Sequence, residues 1–284
     1  MGESRSFALK LARASEHLKI VEGEIAGWVY GNPYLISDEP DPDASNPSNL
    51  SCSENAVRRR FRVARIDPVS PWIGPVIGDC LFNLRSALDH LALSLALAYT
   101  PVLTDKQRRD STFPILRKPL SDKDESEKIG GIHPGAQASI RAFQPYQRPQ
   151  DLKSHPLWWL NELNRVDKHQ TLAVCAAVPM LLRARRKGET GFGVSTVVNA
   201  LHGSFQTLDY ASTTLGELKT DAVFFRYAGV PLIAVEHINP NPKIPLDVAF
   251  GHGQPVELEL VVPVLEAIYN FISDRVVPAL TQFL

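Results

Sequence analysis

Five polar residues fall on one side of the segment 76–98: Asp79, Asn83, Ser86, His90 and Ser94. At about 100° per residue they form a stripe opposite Ile77, Leu81, Leu84, Leu88, Leu91, Leu95 and Ala98. A plain solvated face favours Lys, Glu and Arg, which are strong helix formers. Short Asp, Asn, Ser and His side chains suit a polar surface, a hydrogen-bonded interface or a site, with Asn83 and Ser86 as candidate substrate contacts. Arg85 and Asp89 lie on a flank at i, i+4, where the simplest expectation is an ion pair.

A second group crowds the end of a later helix: Asn161, Asn164, Arg165, Asp167, Lys168 and His169. One reading is a helix C-terminus, whose negative dipole end favours basic residues. The other sets Asp167 and His169 against Asp89 and His90 across a helix pair, where two carboxylates and two imidazoles would hold a divalent metal. Two basic stretches complete the inventory, Arg58, Arg60 and Arg62 on one strand face and Arg183, Arg185, Arg186 and Lys187 at a hairpin. They suit phosphate contacts or solvated strand edges.

The positioning elements are legible from periodicity. Phe7, Leu11, Ala14, Leu18, Val21, Ile25 and Trp28 mark a first helix, stopped by Asn32-Pro33. It should pack antiparallel on the 76–98 helix, whose seam has the same spacing. Residues 37–56 are acidic and Pro-rich and read as a mobile loop that covers the arginine strand at 57–66. A loop is expected at 117–131, a short helix near 134–143, a helix over 156–170, and a C-terminal helix from Pro263 to Phe283, kinked or ended at Pro278. Apolar and alternating runs at 171–182, 192–198, 203–210, 222–238 and 256–262 predict strands. The expectation is one α+β domain over 1–284, with four main helices packed beside a mostly antiparallel sheet.

The chain has 284 residues, 44% hydrophobic and 21% charged, with a formal net charge of −1. That is globular composition without global basicity. Cys52, Cys80 and Cys175 are odd in number and form no CxxC, so a disulfide framework is not expected and a reducing cytoplasm is. No apolar run is long enough to cross a membrane. No nucleotide-loop, nucleophile-elbow or HExxH motif is present, and no cofactor is expected.

Arg85-Ser86-Ala87-Leu88-Asp89-His90 has an Arg, four residues, then His. It resembles the RNA-cleaving motif of the HEPN superfamily, helical and usually dimeric domains, many of them metal-independent ribonucleases. The resemblance implies a homodimer acting on RNA. His90 would move protons during attack of a 2′-hydroxyl on the neighbouring phosphodiester, Arg85 would stabilise the phosphate, and Asp89 would assist. Arg58, Arg60, Arg62 and Lys168 would add substrate contacts. The whole chain also resembles a bacterial family without an assigned activity, on Asn83 through Leu91, Phe113-Pro114-Ile115, Gln144-Pro145-Tyr146, and Leu157-Trp158 through Asp167-Lys168-His169. Two other functions fit the same residues: a non-enzymatic homo-oligomeric interaction protein that uses the polar stripe, and a metal-dependent hydrolase built on Asp89, His90, Asp167 and His169.

Overall fold

The computed structural model describes residues 6–40, 58–119, 128–177, 207–209, 223–228 and 246–284. The chain divides into two compact units. Met1–Glu24, Pro71–Ala173 and His252–Leu284 form the first, and Ile25–Ser70 and Val174–Gly251 form the second.

The first unit is helical and is built around α2, Ile73–Tyr99. Ile77, Leu81, Leu84, Leu88, Leu91 and Leu95 are all buried, as their spacing predicts, whereas Ala98 is exposed. The buried arc is wider than that seam. Cys80, Asn83, Ala87 and Ser94 on one flank and Gly74, Gly78, Ala92 and Ala96 on the other are buried too. Helix α1, Ser6–Tyr30, meets the Cys80 flank. The Cys80 thiol donates to the Ala14 carbonyl at 3.5 Å, and the Lys10 ammonium reaches Asn83 Oδ1 at 3.5 Å. Numbers rise along α1 as they fall along α2, so the pair runs antiparallel as expected. Burial pushes the Cys80 thiol up to about 12 and keeps it protonated.

Gly74 and Gly78 mark a close approach on the other flank. A Cβ on Gly74 would lie 2.7 Å from the Leu172 carbonyl, and one on Gly78 would overlap the Asp167 carboxylate. A side chain at 74 would collide with backbone, and one at 78 would displace the Asp167 carboxylate. Helix α3, Asp105–Asp110, follows a capping box in which Thr104 Oγ1 accepts from Gln107 N–H and the Gln107 side chain accepts from Thr104 N–H. Helices α4, Pro134–Ala142, and α5, Pro156–Asp167, both begin with His-Pro. His133 Nδ1 accepts from Gly135 N–H, and His155 Nδ1 accepts from Leu157 N–H. The chain closes with α6, Val261–Phe271, a π-turn over Ile272–Val276, and α7, Val277–Thr281. Pro278 therefore does not end the segment. It lacks an N–H and crowds the carbonyl of Asp274, and the wide turn before it absorbs that misfit.

Seven α-helices are thus present among the described residues rather than four main ones. The strand expected over 256–262 is absent. Its alternation belongs to a turn in which Gly253 has φ 77° and Leu258 φ 60°, and Glu257 accepts from Gly253 N–H.

The second unit contains antiparallel strands. β1 (Tyr34–Pro40), β2 (Arg58–Ile66), β5 (Val223–Ala228) and β4 (Thr207–Asp209) form a sheet in that order, while β3 (Val174–Ala177) pairs with β6 (Asp247–Phe250). These are two small sheets, not one. β1 corrects the expected loop over 37–56, because 37–40 pair with β2 from Ser37↔Arg62 to Pro40↔Arg59. Residues 41–57 lie outside the described residues, as do 178–206 with the basic hairpin and 192–198 strand expected there, and most of the 222–238 run.

Candidate functional site

The two edges of α2 carry the residues singled out from sequence. On one edge, Arg85 and Asp89 form the expected i, i+4 pair, with Nε to Oδ2 at 3.2 Å and Nη2 to Oδ1 at 2.9 Å. The pair does more than neutralise itself. Arg85 Nη2 also donates to the Phe113 carbonyl at 2.8 Å, and Asp89 Oδ1 accepts from Phe113 N–H at 3.0 Å. Both backbone polar groups of the buried Phe113 are therefore satisfied by side chains of α2.

This clamp belongs to a larger one. Residues 111–117 are neither helix nor strand, so their backbone groups need other partners. Gln144, 1% exposed, supplies three contacts. Its Nε2 donates to the Pro114 and Ile140 carbonyls at 2.9 and 3.0 Å, and its Oε1 accepts from Leu116 N–H at 3.0 Å. Arg117 ends the strap by reaching the buried Glu162 of α5 at 2.7 Å. Burial alone would push the Glu162 carboxyl up, but hydrogen bonds from Arg117, Arg165 and Asn161 outweigh it and hold the group below its usual value. Arg117 was expected in a solvated loop; it is a tether. Gln144, Arg117 and Glu162 have no place in the sequence-based site. Phe113-Pro114-Ile115 and Gln144-Pro145-Tyr146 stood out as segments, and the structure makes them two halves of one clamp.

On the other edge, Asp79 is exposed, Ser86 and His90 are half-buried, and Asn83 and Ser94 are buried. The buried pair is satisfied close to home. Asn83 Nδ2 donates to the Asp79 carbonyl at 2.8 Å, and Ser94 Oγ donates to the His90 carbonyl at 2.8 Å. Among the described residues the His90 ring has no hydrogen-bond partner. Five residues separate Arg85 and His90 by about 140° around the helix, so they do not converge within one chain.

The other candidates are dispersed. Asp167 sits against Gly78, and its carboxyl is raised by burial and then by the neighbouring charge of Asp79. From Gly78 to Asp89 is about 16 Å along α2. Lys168 and His169 are exposed beyond the end of α5. Asp89, His90, Asp167 and His169 are thus not brought together, and among the described residues no three His, Cys, Asp or Glu side chains form a metal site. Arg62 is held bidentately by Glu39 of the neighbouring strand β1, with both bonds at 3.0 Å. Arg58 and Arg60 occupy β2, paired with Ala228 and Arg226 of β5.

No helix among the described residues is long and apolar enough to cross a membrane. No family model, curated protein or solved structure matches this chain.

The outward face of α2 remains. Trp72, Pro75, Asp79, Phe82, Ser86, His90, Leu93 and Leu97 follow one another at spacings of three and four. Trp72 is 72% exposed and Phe82 54% exposed, the latter beneath the Lys10 ammonium. Within this run no Lys, Arg or Glu dilutes the stripe.

Proposed function

We propose that this chain is a self-associating interaction protein without catalytic activity, and that the outward face of α2 is its docking surface. The observation that carries this reading is the exposed Trp72–Phe82 stripe at helical spacing. A second such stripe on a helix already buried along its first is the pattern of a helix with two partners. Exposed aromatics at the centre of a face are the usual anchors of interfaces. The commitment of Arg85 to Asp89 and to the Phe113 carbonyl supports the same reading, since that guanidinium already has an internal use. The test is sedimentation of the purified chain over a concentration series. A dimer is expected, and Phe82→Glu should give a folded monomer by placing a charge in the contact.

One observation favours a second reading, the HEPN-like RNA-binding protein or metal-independent ribonuclease. His90 lies on the same outward face with its ring unpartnered among the described residues. Two copies meeting along α2 would bring their imidazoles to one seam, where proton transfer to and from RNA is chemically reasonable. Incubation with mixed RNA, with and without chelator, separates the readings. Cleavage that survives chelator and disappears in His90→Ala would favour the nuclease.

A further inference from the structure

Helix α3 stands apart from the packing logic of the first unit: it is defined by its capping box and buries none of its six residues. A helix this short gains little stability from its own hydrogen bonds. Residues of α3 and of the segment 128–132 line a cleft of about 210 Å³. Its floor is apolar, formed by Ala96, Leu103 and Ile132, and Ala96 and Ile132 are nearly inaccessible. Lys106 of α3 and Lys128 both line it. Neither ammonium has an ion-pair or hydrogen-bond partner among the described residues. Asp110 is the acid in the lining, so the described walls carry two positive charges and one negative. Gln107 spends its carbonyl oxygen on Thr104 and keeps its amide N–H groups for other use.

We propose that this cleft binds a small organic anion, a carboxylate or phosphate monoester carrying a short apolar body. The anionic head bridges the Lys106 and Lys128 ammonium groups, and the body lies against Leu103, above the buried Ala96 and Ile132. The chemistry follows from the lining: a mixed apolar and cationic cleft recognises a ligand with both parts. The size restricts the body to about one aromatic ring or a short alkyl chain, because the volume lies below the usual range for drug-sized ligands. Ordering of α3 by the bound anion follows, since the helix supplies Lys106 and Gln107 and has no buried anchor of its own.

The experiment uses the full chain and two probes, phenyl phosphate and hexanoate, with benzyl alcohol, hexanol and inorganic phosphate as controls. Saturation-transfer NMR and calorimetry should detect both probes in the millimolar range. The neutral alcohols and inorganic phosphate should bind more weakly, because each lacks half of the recognised chemistry. Lys106→Gln with Lys128→Gln should weaken the probes by about tenfold or more. Gly131→Val fills the cleft from its rim and should abolish binding while both lysines remain. A Cβ at Gly131 meets nothing nearer than 3.8 Å, and an unchanged circular dichroism spectrum of Gly131→Val would confirm that it folds. Equal binding by the alcohols or by inorganic phosphate, unchanged binding in the lysine pair or in Gly131→Val, or no binding of either probe would overturn the assignment.

Discussion

The two edges of α2 are made from similar residues and do opposite things. Arg85 and Asp89 are committed internally: the pair neutralises itself and takes both backbone groups of Phe113. Along Asp79, Phe82, Ser86 and His90, side chains face outward and apolar rings stay exposed. A charged pair that bonds both backbone groups of a buried residue holds the fold. An exposed aromatic such as Phe82, touched on one side by the Lys10 ammonium, still offers apolar area to a partner. Sequence spacing treats Arg85 and His90 as one motif, whereas the structure puts them on different edges of the helix.

The largest effect should come from breaking the spent edge. Asp89→Ala removes the acceptor for the buried Phe113 N–H and leaves the half-buried Arg85 unpaired. We expect a loss of about 2–4 kcal/mol in denaturant unfolding. Gln144→Leu should cost about 2–3 kcal/mol, because it strands Leu116 N–H and the Pro114 carbonyl. A loss below about 0.5 kcal/mol in either variant would show that the strap does not need its side-chain clamp.

A pH effect tests the same structural side. His155 caps α5 through an unprotonated Nδ1 and packs edge-on against Phe271, with ring centroids 5.1 Å apart. Burial, then the Arg148 charge, lower its pKa to about 4. Above about pH 6.5 the ring is neutral folded and unfolded, and its contribution is intact. Between about 6.5 and 4 the unfolded chain binds a proton that the folded chain refuses, so stability falls as pH falls. His155→Asn keeps a capping oxygen and removes the titration. It should flatten that limb of the curve by about 2 kcal/mol between pH 6.5 and 4. An unchanged limb would assign acid sensitivity elsewhere.

The smallest stability effects belong to the outward edge. Ser86→Ala and His90→Ala should change unfolding free energy by about 0.5 kcal/mol or less. A larger loss would mean that this edge, too, is structural.

The helical seams were legible because burial on a helix repeats every three or four residues, and the residues of α1, α2 and α5 obey that spacing. The Arg85–Asp89 pair was legible for the same reason. The strap at 111–117 was not, because its bonds run to Arg85, Asp89, Gln144 and Glu162 and leave no periodic trace. β1 was hidden by its acidic, Pro-containing composition, which suits an edge strand as well as a loop. The alternation at 256–262 pointed to a strand, but Pro255 and the left-handed Leu258 bend the chain instead. Helix α3 carried its signature in Thr104 and Gln107, and its six polar residues gave no apolar stripe to draw attention. The separation of Arg85 from His90 follows from helix geometry; the internal use of Arg85 required the position of Phe113.

The division between the two edges is tested most directly by mass. Sedimentation velocity of the wild-type chain and of Phe82→Glu should give a dimer and a monomer, respectively, with the monomer retaining the wild-type circular dichroism spectrum. A wild-type chain that stays monomeric at all concentrations, or a Phe82→Glu chain that still sediments as a dimer, would contradict the account.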